Sequence, residues 1–327
     1  MTYWISALVF LTAAFAAAIS GINEYVFYAG YIVLTFVVLS TAWNILGGYA
    51  GYVNFGTGAF FGLGSYSAVV LFKALEAPLL VQIIAGAAIG AALGFAVGIM
   101  TLRLRGIFFA IATVAILFIM ETLMVNWRYV GGATGLQLLR PEVMAPFGSY
   151  TRMLFVVMAL LSVIAVSIAR YIQVGWIGRG LRAIRDSEEA AECSGVPTLK
   201  LKLFACVISG ALMGAAGAPM PMYLSFIEPA APIRPPDTAQ ANSYSLSVGT
   251  PLHSAASSLS RSARRPRPIQ CPVIGALLLG SIQQIVTVTI SNEINVLVVG
   301  VLLVLFVVLA PDGVVGLFRK WARRSSR

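Results

Sequence analysis

The sequence predicts an all-α polytopic membrane protein, a glycine-rich packed bundle of about nine to ten transmembrane helices. Of its 327 residues, 59% are hydrophobic and only 10% are charged, whereas soluble domains typically carry about 25% charged residues. The apolar residues form blocks of roughly 20, the length that a helix needs to cross a bilayer core. Runs such as 296–309 are apolar on every face, which excludes a membrane β-barrel because barrel strands alternate apolar and polar residues.

Each apolar block is taken as a helix, because backbone polar groups in hydrocarbon must be bonded within their own segment. The first block is not expected to be a cleaved signal peptide, since Met1, Thr2 and Tyr3 provide no basic region before it. In chain order the candidate spans lie near 4–20, 27–47, 53–72, 78–102, 107–126, 151–173, 201–224, 272–290 and 294–310.

The net charge of +10 is interpreted as a membrane-topology signal rather than a nucleic-acid-binding surface, because Lys and Arg mark cytoplasmic loops. Basic residues cluster at 103–105, between 170 and 202, and in the tail 318–327. Two spans separate the first two clusters, which therefore lie on one side. Three spans follow the second cluster, so the tail, which the same rule predicts to be cytoplasmic, would emerge on the wrong side. One crossing is therefore missing or surplus in this list.

Glycines recur in two of the blocks at a spacing of four residues, which places them on one face of a helix. Small residues at this spacing let membrane helices approach closely. The pattern predicts tight helix packing, although channels, pumps and transporters all use it. The predicted packing residues are Gly86, Gly90, Gly94, Gly98, Gly210 and Gly214.

A second glycine-rich stretch, at 43–58, interrupts the apolar pattern with two asparagines. Irregular backbone at membrane depth is tolerated where it is buried in protein or lines a watery cavity, and broken helices often form substrate sites in transporters. The other interpretation is a short polar turn at the membrane interface. On the first interpretation the translocation path would include Asn44, Gly48, Gly51, Asn54, Gly56 and Gly58.

The segment 174–200 carries charges of both signs between two spans. Its pattern predicts one short amphipathic helix, ended by Gly195 and Pro197. Such a folded charged loop is suited to docking a cytoplasmic partner, and the alternative is a solvated surface helix that binds only lipid headgroups.

Within this segment, Glu189, Ala190 and Ala191 followed by Gly195 match the Glu-Ala-Ala-x-x-x-Gly loop of ATP-driven importer permeases. The longer string 178–186 (GRGLRAIRD) resembles the branched-chain amino-acid permease family of these ABC transporters. Four further strings, in the same order along the chain as in that family, are similar to it: 48–66, 104–113, 131–136 and 311–317.

The resemblance implies a heteromeric importer of the bacterial plasma (inner) membrane. Two permeases would form the pathway, cytoplasmic ATP-binding subunits would drive it, and an extracytoplasmic amino-acid-binding protein would deliver the substrate. The implied ATPase-coupling residues are Arg179, Arg182, Arg185, Asp186, Glu189, Ala190, Ala191 and Gly195.

Several other properties agree with a subunit driven by partners. The chain has no Gly-Lys dipeptide and so no phosphate-cradling Walker loop, and neither catalysis, a cofactor nor a metal is expected. The remaining functional alternatives are an ion-coupled secondary transporter and a channel-like membrane protein.

The segment 230–270 departs from the family. It holds six of the fifteen prolines and five arginines, a composition typical of a polar linker. The family has a hydrophobic, glycine-containing stretch here. The two hypotheses are a compensated frameshift and a genuine polar insertion.

Overall fold

The computed structural model describes residues 2–19, 23–101, 107–138 and 148–227, together with isolated positions between 273 and 284. Two short strands, β1 (Leu136–Gln137) and β2 (Phe226–Ile227), pair in antiparallel register, with Leu136 opposite Ile227. The α-helices of the described residues are α1 (Thr2–Ile19), α2 (Glu24–Trp43), α3 (Thr57–Leu75), α4 (Leu79–Thr101), α5 (Ile107–Asn126), α6 (Tyr150–Val174), α7 (Trp176–Asp186), α8 (Glu188–Cys193), α9 (Thr198–Gly217) and α10 (Met220–Leu224).

Six helical segments of the described residues are long and apolar enough to cross a membrane. With the shorter apolar helix Trp4–Ile19, they coincide with the first seven predicted spans. The segment 230–270, the span 294–310 and the tail 318–327 lie outside the described residues, as does nearly all of 272–290. The chain is therefore a mostly helical, multi-pass membrane protein, and the total of nine to ten spans stays a prediction. The six spans are Glu24–Ala50, Thr57–Leu75, Leu79–Thr101, Phe108–Asn126, Tyr150–Val174 and Thr198–Leu224.

The helix α9 lies at the centre of the described bundle, where it packs against α2, α3 and α4. Its residues are mostly buried, whereas α4 and α5 expose large apolar side chains such as Phe95, Phe118 and Ile119. An apolar exterior of this kind is stable against lipid and would be unstable in water. The helices α4 and α5 therefore form part of the lipid-facing or subunit-facing surface.

Glycines line the contact between α4 and α9. A Cβ atom at Gly86 would lie 2.8 Å from the carbonyl oxygen of Gly214, and one at Gly94 would lie 2.8 Å from that of Cys206. Gly90 and Gly210 face each other in the same way, since a Cβ atom at either one would meet the carbonyl oxygen of the other. Since real Cβ atoms essentially never come within 3.0 Å of such atoms, the two backbones approach to a distance that only glycine allows. Gly98 is buried on the same helix.

The charged segment 174–200 forms two helices, so the prediction of one helix is wrong. The break falls at Ser187, whose backbone is extended (φ −164°, ψ 113°) and whose hydroxyl oxygen accepts a hydrogen bond from the Ala190 N–H. This is the geometry of an N-cap, which starts α8 afresh. The second helix ends as predicted, before Gly195, whose φ of +76° favours glycine.

Candidate functional site

The helices α7 and α8 lie across one end of the bundle with one face buried and one exposed. The side chains of Leu181, Ile184 and Ala191 are buried against the bundle. The opposite face carries charges of both signs. Its exposed residues include Arg179, Asp186, Glu189 and Ala190.

The remaining predicted coupling residues face inward or end the segment. Arg182 donates a hydrogen bond from Nη1 to the carbonyl oxygen of Gln173 at 3.3 Å. Arg185 lies 3.6 Å from the Asp186 carboxylate, and its side chain is only 18% exposed. The structure therefore separates the predicted set into an outward group and an inward pair of arginines.

Arg185 connects α7 to the glycine-rich turn, which is the name used here for residues 44–56. This turn begins as a π-helical continuation of α2 (Asn44–Ala50) and becomes irregular over 51–56. The Arg185 Nη1 donates to the carbonyl oxygen of Gly48 at 3.1 Å. Gly51 has a φ of +80°, and a Cβ there would lie 2.8 Å from the Cγ of Arg185. Glycine at position 51 thus satisfies both the backbone conformation and the close approach of the arginine.

A buried charged cluster makes a second connection between the charged helices and the turn. The Lys202 Nζ lies 2.6 Å from Oε1 of Glu188, and the Tyr52 hydroxyl donates to Oε2 of the same carboxylate at 2.6 Å. The Lys202 Nζ also donates to the Tyr52 hydroxyl oxygen at 3.2 Å. We call these three residues the Glu188 cluster.

Sequence reasoning missed the Glu188 cluster. The sequence places Lys202 among the basic residues of a cytoplasmic loop, yet only 3% of its side chain is exposed in the structure. The family motif points to Glu189, which is exposed, and not to its neighbour Glu188. The only available signal was a lysine inside an apolar block, because intramembrane charges need a partner.

Several polar contacts hold the irregular part of the glycine-rich turn, in addition to those of the Tyr52 hydroxyl. Asn54 is buried, and its side-chain oxygen accepts from the Gly56 N–H at 2.8 Å. The Trp43 Nε1 donates to the Asn54 carbonyl oxygen at 2.8 Å. The Phe55 N–H donates to the Thr113 hydroxyl oxygen on α5 at 3.1 Å, and the Tyr52 N–H contacts the Leu46 carbonyl oxygen at 3.4 Å.

The structure places the predicted path residues in and beside this turn. Asn44 starts the π-helical part, where its side chain occupies the space that a Cβ at Gly48 would need. Gly58 is buried in the first turn of α3. A shallow concavity lies elsewhere, on the outer side of α5, and none of the predicted path residues lines it. Its walls are Phe118, Ile119, Thr122, Leu123, Asn126 and Trp127.

Comparisons with known proteins identify relatives of this chain. Two permease proteins named LivM, of the high-affinity branched-chain amino acid transport system, are similar to this chain. The protein of Salmonella typhimurium is 26% identical over 221 residues, and that of Escherichia coli is 25% identical over 223 residues. The matches cover 60% and 61% of this chain, and this chain spans about half (52%) of the length of each relative. No solved structure matches the chain significantly.

A family profile gives the broader result. The profile described as the branched-chain amino acid transport system permease component matches residues 25–307, which is most of the chain. This range includes the glycine-rich turn, the glycine contact of α4 with α9, and both charged helices. The chain belongs to the branched-chain amino acid permease family of ABC transporters.

Proposed function

We propose that this chain is a permease subunit of an ATP-driven importer and that it forms, with a second homologous permease, the pathway for branched-chain or related small amino acids. The observation that carries the proposal is that α7 and α8 expose a face with charges of both signs, in a multi-pass chain of this family. The names of the two relatives support the substrate class.

The exposed face of α7 and α8 is the proposed docking site for a cytoplasmic ATP-binding subunit. Ala190 keeps the helix narrow enough to enter a groove, while Glu189, Arg179 and Asp186 give charge complementarity, which fixes orientation. Arg182, Arg185 and Ala191 hold the helices on the bundle from within, and Gly195 gives the reversal into α9. On this assignment, α7, α8 and the tail 318–327 are cytoplasmic, the membrane is the bacterial inner membrane, and an extracytoplasmic binding protein delivers the substrate.

The glycine-rich turn is the proposed moving part of the translocation path. The second permease would supply the other wall. Selectivity among amino acids is assigned mainly to the binding protein.

The segment 230–270 is proposed to be the product of a compensated frameshift. Translation of the coding DNA in all frames is expected to give an apolar, glycine-containing stretch in another frame. A genuine polar insertion would give no apolar helix in any frame.

The transport proposal is tested in proteoliposomes that contain this chain, the second permease and the ATP-binding subunits. With binding protein outside and ATP enclosed, labelled leucine should accumulate, and omission of ATP or of the ATP-binding subunits should abolish accumulation. Accumulation driven by a sodium or proton gradient without those subunits would instead support the secondary transporter.

The docking assignment is tested by replacing Glu189 with tryptophan. The bulky side chain should prevent seating of the ATP-binding subunit, so that leucine uptake is lost while the subunit still inserts into the membrane. Glu24→Trp is the control, since Glu24 is exposed at the opposite end of the first long span. Normal uptake by the Glu189→Trp importer would contradict the assignment.

A further inference from the structure

The Glu188 cluster joins three parts of the chain that lie far apart in sequence. Glu188 is the first residue of α8, Lys202 lies in the second turn of α9, and Tyr52 belongs to the glycine-rich turn. The Glu188 carboxylate receives both the lysine ammonium and the tyrosine hydroxyl at 2.6 Å. A displacement of α8 must therefore either move Tyr52 or break a short, charge-assisted hydrogen bond.

The cluster is a stiff connection because its charges are withdrawn from water. The side chains of Lys202 and Glu188 are 3% and 16% exposed. In such surroundings a charge whose partner is removed is left uncompensated, which strongly opposes separation of the pair. The Lys202 Nζ also donates to the Tyr52 hydroxyl oxygen at 3.2 Å, so each side chain of the cluster is bonded to both of the others.

The Glu188 cluster is joined, through Tyr52, to irregular backbone of the glycine-rich turn that can change its conformation. Tyr52 lies in the irregular part of the turn, directly after Gly51 with its positive φ. Arg185 holds the other side of Gly51 through the Gly48 carbonyl oxygen. The helices α7 and α8 therefore contact the turn at Gly48 and at Tyr52, on either side of Gly51.

The movement would pass beyond the turn as well. The Tyr52 ring packs edge-to-face on Phe109 of α5, with ring centres 5.3 Å apart. Phe55 and Thr113 make a second contact between the turn and the same helix. A displacement of Tyr52 would therefore displace both the start of α3 and the first turns of α5.

We propose that the Glu188 cluster is the linkage that transmits motion of the charged helices, driven by the ATP-binding subunit, to the glycine-rich turn. This inference rests on the proposed function. Glu188, Lys202 and Tyr52 are positioning residues in it, because they act through the contacts that join the charged helices to the turn.

The experiment uses the complete importer in proteoliposomes and measures ATP hydrolysed per leucine imported. Glu188→Gln and Lys202→Met each remove one charge at nearly constant volume. Each is expected to raise this ratio roughly fivefold or more, the lower end of typical coupling between sites. The amount of ATP-binding subunit that copurifies should stay at the wild-type level, because the cluster faces inward. Glu24→Gln is the matched control, with an unchanged ratio.

One further variant separates linkage from folding. Tyr52→Phe keeps the ring packing and removes only the hydroxyl, so it should raise the ratio in a well-assembled importer. If neither charge variant assembles, the Tyr52→Phe ratio decides. A wild-type ratio in assembled importers of these variants would overturn the linkage. Failure of the wild-type importer to take up leucine with ATP would instead overturn the proposed function.

Discussion

Replacing Gly94 of α4 by valine is expected to separate α4 from α9 and to destabilise the bundle. The Cβ of the new side chain would lie 2.8 Å from the Cys206 carbonyl oxygen and 3.1 Å from the Cα of Val207. Both atoms belong to the α9 backbone, so neither can turn away as a flexible side chain would. Ordinary contact begins at 3.4 Å, which leaves a shortfall of about 0.6 Å before the two Cγ atoms are counted.

A shift of this size has a definite energetic cost. A gap of about 0.5–1 Å forfeits a quarter to a half of the dispersion energy of each contact along the interface. Lipid supplies no hydrophobic gain to offset the loss, because membrane helices associate mainly through packing. Overpacking typically lowers the unfolding free energy by about 1–3 kcal/mol. Because valine adds two Cγ atoms as well as the Cβ, the loss expected for Gly94→Val is about 3 kcal/mol.

The assay is titration of the purified subunit from mild detergent into sodium dodecyl sulfate, with helicity followed by circular dichroism. Ala96→Val is the matched control, because Ala96 is exposed on the same helix two residues away. Its unfolding free energy should change by about 0.5 kcal/mol or less. Equal unfolding midpoints for the two variants would refute the glycine-contact argument.

Three further predictions concern single side chains. Cys193 is exposed, so a membrane-impermeant maleimide should label it from the cytoplasmic side, and bound ATP-binding subunits should protect it. Labelling of Cys193 only from the other side of the membrane would contradict the proposed orientation. Ser187→Ala removes the α8 N-cap, so amide hydrogen exchange at 188–193 should accelerate by the equivalent of about 1 kcal/mol, and unchanged exchange would show that the cap is dispensable. Trp43→Phe leaves the buried Asn54 carbonyl without its indole donor, which should lower the unfolding free energy by about 1–3 kcal/mol, whereas Trp4→Phe, at an exposed position, should have little effect.

The membrane-spanning helices were predictable because hydrocarbon imposes both length and polarity on the chain. The first seven predicted spans fall on helices, with shifts of a few residues. One shift is informative: the third span was expected from residue 53, but α3 begins at Thr57. Hydropathy cannot register this difference, because the irregular backbone of 51–56 is itself rich in apolar side chains and is held by hydrogen bonds.

The break in the charged segment shows a different limit. Alanine, glutamate and arginine all favour helix, so the composition of 176–193 predicts one continuous helix. A single residue, Ser187, reverses the outcome by capping the next helix with its own hydroxyl. Serine occurs at many positions where it does not cap, so this break depends on tertiary context.

The Glu188 cluster could not be inferred from local pattern. Its members are 14 and 136 residues from Glu188 in sequence, and neither periodicity nor a short motif relates them. The family motif directed attention to Glu189, whose neighbour Glu188 faces the bundle. Motifs of this kind identify a functional segment, whereas the inward contacts of that segment are determined by the fold.

The most direct test of the central claim is cross-linking from α8 in the assembled importer. Cysteine is placed at Ala190, which is exposed, in a chain whose Cys193 and Cys271 are replaced by serine. A short reagent is then added that joins this thiol to a lysine amine of the neighbouring subunit. The account predicts a cross-link to an ATP-binding subunit whose yield changes with ATP, and none from Ala96→Cys on the outer face of α4. Absence of the cross-link at position 190, in importers that still contain the ATP-binding subunit, would contradict it.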